Sequence, residues 1–223
     1  ARWGLRLQVG LRIGDRVSIP EYATELLDGY LPIISTRWQD QGLACVQTAV
    51  ATYLDGEPED HRGDETVVLL SRLIVHNPTD EPVGAVISWH TEPAEALVLN
   101  HGLVMARGVF RDGRLESYPE LGYRFHIKHD PDQRVEVVDD PVAGSLLLWK
   151  FALEAYQHAT IELAVPFVPP ADDHQRERLA ALNFDDTVLL ETKRWRQIVD
   201  KAARFETPDR LLNDFYKAQL VHT

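Results

Sequence analysis

The chain is 223 residues long, 44% apolar and 26% charged, with 35 acidic against 23 basic residues and a formal charge of −12. That length buries a sizeable core, as one large domain or as a domain with part of another. The acidic balance, with no run of Lys and Arg, repels nucleic acid and anionic membrane surfaces and leaves neutral ligands as the easier fit.

From Trp3 to about Phe167 the dominant hydrophobic period is two, the mark of strands rather than helices. Leu5, Leu7 and Val9 alternate with polar residues. Segment 42–54 sets Ala44, Val46, Val50 and Leu54 on one face and Leu43, Cys45, Ala49 and Tyr53 on the other. In 66–76, Val67, Leu69, Leu73 and Val75 share a face opposite Arg72 and His76. Further strands are predicted near 83–91, 103–110, 121–128, 133–138, 144–156 and 159–167. Asn77 to Pro82 breaks the chain, and Arg111-Asp112-Gly113-Arg114 reads as a hairpin turn.

In 144–156 the residues Leu147, Trp149, Phe151 and Leu153 make one heavy apolar face, while Leu146 and Leu148 make the other face apolar at one end. A strand of that kind belongs in the middle of a covered sheet. Many strands with turns at this spacing, and no helical period between them, predict a large antiparallel β-sandwich over residues 1–170.

The character changes at Pro169-Pro170-Ala171-Asp172-Asp173. A short helix is predicted over 174–182. A longer one opens at Asp185 or Asp186 and carries Val188, Trp195, Ile198, Val199, Ala202 and Phe205 at three- and four-residue steps. Thr207 reads as the N-cap of a last helix, with Pro208 at its first position and Leu211, Leu212, Phe215 and Ala218 along one side. Residues 171–223 are thus helical, and Trp195 is expected to dock its helix against the sandwich.

Chemistry-bearing residues are sparse. The lone Cys45 excludes an intrachain disulfide framework and a cysteine-based zinc cluster, and leaves the compartment open. No apolar run is long enough to span a bilayer, and no stretch has the order of a signal peptide. The pairs Asp139-Asp140, Asp172-Asp173 and Asp185-Asp186 fall where turns and caps are expected, and Glu92 and Glu95 flank Pro93 in an expected loop. His126 and His129 are three apart on a strand and face opposite ways, so no metal site is expected. No cofactor-binding phosphate loop or Gly-x-Ser-x-Gly elbow occurs. Trp38 and Trp89 lie near strand ends and are the candidate ligand-stacking rings, whereas Trp149 reads as core.

The sandwich is followed by Ala164-Val165-Pro166-Phe167, a helix bearing Trp195, and then Phe205-Glu206-Thr207-Pro208-Asp209-Arg210-Leu211-Leu212-Asn213-Asp214-Phe215. This order resembles the join between the N-terminal β-supersandwich, a galactose-mutarotase-like fold, and the (α/α)6 barrel in the six-hairpin glycosidase superfamily of glycoside hydrolases and disaccharide phosphorylases. The resemblance implies an oligosaccharide as the parent enzyme's substrate and a general acid on the helical barrel. No residue of this sequence matches that catalytic motif, so the expectation is a non-catalytic piece scaffolding a helical domain absent from it. Ala1 in place of Met, and a last helix with an apolar side and no C-cap signal, fit that expectation. The alternatives are a free-standing carbohydrate-binding sandwich and a structural interaction domain without a ligand.

Overall fold

Strands alternate between two antiparallel sheets that face each other across one apolar core. The computed structural model describes residues 6–13, 16–17, 21–40, 42–55, 65–92, 94–111, 114–140, 144–202 and 206–222. The smaller sheet has the order β11 (Arg134–Asp140), β12 (Gly144–Leu153), β7 (Val83–Glu92), β1 (Arg6–Ile13) and β2 (Arg16–Val17). The larger runs β3 (Tyr22–Leu27), β4 (Leu31–Asp40), β5 (Leu43–Tyr53), β6 (Val67–His76), β13 (His158–Pro166), β10 (Arg114–His129), β9 (Leu103–Arg111) and β8 (Glu95–Asn100). The predicted mainly β, antiparallel sandwich with C-terminal helices is the architecture observed.

Period-two alternation explains the core directly. Leu43 and Cys45 of β5 and Leu73 and Val75 of β6 point inward, where they meet Ile87 and Trp89 of β7 and Leu147 and Trp149 of β12. Each such fully buried side chain stabilises by roughly 1.5–3 kcal/mol relative to exposure. β12 lies between β11 and β7, as its two apolar faces predict.

The opposite face of the large sheet is also covered. Ile33, Val50, Leu54, Val68, Leu70, Tyr123 and Ala164 form a second core with Leu179 and Phe184 from the helical segment. Helices α1 (Asp173–Ala181) and α2 (Phe184–Lys201) therefore make a third layer, with α2 crossing β6, β5 and β4. Helix α3 (Arg210–His222) lies against β4 and α2. Residues after Pro170 share a core with the sandwich instead of leading away from it.

Local capping chemistry sets the helix starts. The Asp172 carboxylate accepts the Gln175 N–H at 2.8 Å, and the Asn183 side chain accepts that of Asp186 at 3.0 Å. Thr207 does not cap α3 as expected. Its hydroxyl donates to the Asn213 side chain at 2.9 Å, while the Asp209 carboxylate accepts the Leu211 N–H at 2.9 Å and so takes the capping position. A charged acceptor at a helix N-terminus outcompetes a hydroxyl.

Three strands lie outside the expectations, β2, β3 and β8, while β4 has Trp38 near its end as expected. β10 is also far longer than predicted, because register shifts after Ser117 and after Tyr123 interrupt its alternation. Glu95 is the clearest correction, since the expected solvated loop acid opens β8 and is 3% exposed. Arg124 grips its carboxylate through two nitrogens, at 2.6 and 2.5 Å, and the Tyr118 hydroxyl donates at 3.0 Å. That pair ties β8 to both sides of the irregular stretch of β10. The predicted turn at Asp112-Gly113 lies outside the described residues, but Arg111 and Arg114 pair across it as a hairpin requires.

Candidate functional site

The two tryptophans proposed as ligand-stacking rings have different surroundings. Trp38 stands on the inner face of β4 directly opposite Tyr22 of β3, half-buried against the edge of the inner core. Trp89 is 1% exposed, with its ring centroid 6.3 Å from that of Trp149. Trp89 offers no face to a ligand, which corrects the expectation for it. Its near-terminal place in β7 does not expose it, because β1 and β12 flank that strand on both sides. Trp149 is core as expected, and its indole N–H donates to the Gln133 side chain at 2.9 Å.

The candidate acids and histidines are dispersed. Asp139 accepts from Ser145 at 2.6 Å and from Arg107 at 2.9 Å, Asp173 pairs with Arg176, and Asp185 pairs with Arg72. His126 is held below its ordinary pKa, chiefly by burial and secondarily by the Lys128 charge. Burial pushes the Cys45 thiol up to about 12, with the Asp40 charge adding to it, so this thiol is inert at neutral pH. Among the described residues no three His, Cys, Asp or Glu side chains converge as a metal site. A cleft of about 460 Å³ opens beside β8 and β11, lined by Leu97, Leu99, Val135, Val137, Arg107 and Asp139. Arg107 and Asp139 neutralise each other across it.

The densest polar constellation is instead the seam between α2 and the large sheet. Glu191 is 2% exposed, accepts from the Thr52 hydroxyl at 2.7 Å and pairs with Arg194 at 3.2 Å. The Arg194 guanidinium lies 5.0 Å from the Tyr53 ring centroid and 5.3 Å from that of Trp195, a position that shields it with aromatic faces. At the other end of α2, Arg72 of β6 donates to Glu162 at 2.7 Å and to Asp185 at 2.6 Å, and lies 4.3 Å over the Phe184 ring. The Arg72 hydrogen bond holds the Asp185 carboxyl below its ordinary value. Arg196 reaches Asp28 in the β3–β4 turn at 2.6 Å, and the Lys217 ammonium of α3 sits 4.9 Å from the Tyr30 ring centroid. The helices are thus fixed to the sheet by charge as well as by apolar burial.

Their outward side is different. Leu189, Leu190, Leu211, Leu212 and Phe215 are all exposed, Leu211 by 78% and Leu189 by 71%. Sequence reasoning overlooked Glu191, although a gap in the apolar stripe between Val188 and Trp195 marks its place. The geometry of the seam can hold a helical layer rigidly and can present an apolar surface.

No family model matches the chain, and no curated protein matches it.

Proposed function

We propose that this chain is a non-catalytic sandwich-and-linker unit of a carbohydrate-active enzyme of the six-hairpin glycosidase kind, scaffolding a helical catalytic barrel. The observation that carries this reading is the two-sided helical layer. Its inner side is locked to the sheet by Glu191, Thr52 and Arg194, and its outer side exposes five large apolar residues on α2 and α3. A helix pair held rigidly with large apolar side chains outward suits packing by further helices, which would bury those side chains. In this reading hydrolysis or phosphorolysis of an oligosaccharide, with the positioned acid that an inverting reaction needs, belongs to the barrel.

Sequencing the coding frame downstream of Thr223 tests the reading. The expected result is several hundred residues of paired amphipathic helices. A frame that closes at once, or continues into strands, contradicts it. The 223-residue chain by itself is expected to give no turnover on a panel of aryl glycosides and oligosaccharides, with or without phosphate.

A further inference from the structure

The inner face of the large sheet changes chemistry toward its β3 edge. Register places Tyr22, Trp38 and Cys45 side by side on β3, β4 and β5, and Thr24, Thr36 and Gln47 in the next row on that face. Cys45 is core, so this row lies on the face that elsewhere carries Leu73, Val75 and Ile161. The row is nonetheless polar. The Thr24 and Thr36 hydroxyls are 3.2 Å apart, and the Gln47 amide donates to Ser71 of β6 at 2.9 Å. The result is a polar strip crossing four strands, about 14 Å at the usual strand spacing. Tyr22, 68% exposed, and the half-buried Trp38 border it.

No side chain of this strip is charged, although the chain carries a net −12. Of the charges of the same two strands, Glu25 and Arg37 sit on the other face and pair with each other at 2.5 Å, and Asp40 lies on the inner face beyond Trp38, opposite Leu43 at the end of β4. A burial-driven face has no reason to place hydroxyls, an amide and an open phenol together, and a solvated face ordinarily carries charge. Hydroxyls and a carboxamide each donate and accept, which matches a partner rich in hydroxyl groups. Aromatic rings beside them suit the apolar C–H face of a pyranose. From these features we propose that the β3–β4–β5–β6 inner face binds a neutral oligosaccharide, with Tyr22 stacking on a sugar ring and Thr24, Thr36 and Gln47 bonding its hydroxyls. This site is separate from the helical layer and does not rest on the scaffolding role.

Calorimetric titration of the full chain with cello-, malto-, xylo- and mannohexaose, and with an oligogalacturonate as the anionic counterpart, tests it. At least one neutral hexaose is expected to bind saturably, and the galacturonate to bind more weakly. Tyr22→Ala removes an exposed ring without opening the core and is expected to weaken binding by about tenfold, in line with the loss of one aromatic contact. Gln47→Leu, checked for folding by circular dichroism, is expected to do the same. Leu189→Ser, on the far layer, is expected to leave affinity unchanged. Absence of saturable binding by all four neutral sugars, preference for the galacturonate, or affinity untouched by Tyr22→Ala would each overturn the proposal.

Discussion

Thr52 of β5 donates its hydroxyl proton to the Glu191 carboxylate of α2 at 2.7 Å, joining residues 139 positions apart. The side chain is 2% exposed, and Thr52 and Arg194 stand where its hydration would otherwise be. Deleting the Glu191 side chain removes the acceptor of Thr52 and the carboxylate partner of Arg194 from this seam. Glu191→Ala is therefore expected to cost about 3 kcal/mol in urea unfolding, the range for a broken buried ion pair. Glu191→Gln keeps an acceptor for Thr52 and is expected to cost less. Equal losses for the two variants would show that charge, and not the hydrogen bond, dominates.

Asp185 gives the same helix a pH dependence of known sign. Arg72 holds its carboxyl below the ordinary value in the folded state. A depressed carboxyl stabilises the fold above its unfolded pKa, and this contribution is lost as pH falls through the folded value. Asp185 is largely exposed, so solvent screening keeps the effect below about 1 kcal/mol. Stability measured on lowering the pH from 6 is expected to fall faster for the parent than for Asp185→Asn. Parallel curves would remove Asp185 from the account.

The outward leucines lead to a solution prediction. Leu189, Leu190, Leu211 and Phe215 give up little burial when replaced, because they are exposed already. Changing Leu189 and Leu211 to Glu is expected to shift stability by no more than about 0.5 kcal/mol, as for ordinary surface sites. The same change is expected to reduce self-association of the chain in sedimentation velocity. A parent that stays monomeric at high concentration would argue against the apolar surface being adhesive.

How much of this was readable beforehand depended on whether a residue's partner lay nearby in sequence. β5, β6 and β12 were visible because their apolar residues alternate, and Leu73, Val75, Leu147 and Trp149 lie in the inner core as that pattern requires, whereas burial of Val50, Val68 and Leu70 on the other face depends on the helical layer. β3 was not, because its side chains are mostly exposed and leave no apolar rhythm to find. Glu95 looked like a loop acid because its burial depends on Arg124, 29 residues away. Trp89 looked like a strand-end ring because nothing in its own segment shows that β1 and β12 enclose it. The candidate site was legible at Trp38 alone, and Tyr22 became relevant only through the pairing of β3 with β4.

A glycine in β9 shows how far such pairing can be tested. A Cβ built on Gly108 would lie 2.5 Å from the Glu116 carbonyl oxygen and 3.0 Å from the Ser117 Cα, both backbone atoms of the neighbouring β10. Neither can swing aside as a side chain tip would, so Gly108→Ala must part the two strands. They part where β10 leaves register after Ser117, just before the Tyr118 that bonds Glu95. The expected cost is about 2 kcal/mol, typical of overpacking, with loss of cooperativity in thermal unfolding if the Glu95–Arg124 pair is pulled open. Combining Gly108→Ala with Arg124→Met discriminates the cause. Strain that acts through the ion pair predicts a double variant clearly less destabilised than the sum of the single ones, whereas strictly additive losses would confine the strain to the β9–β10 backbone.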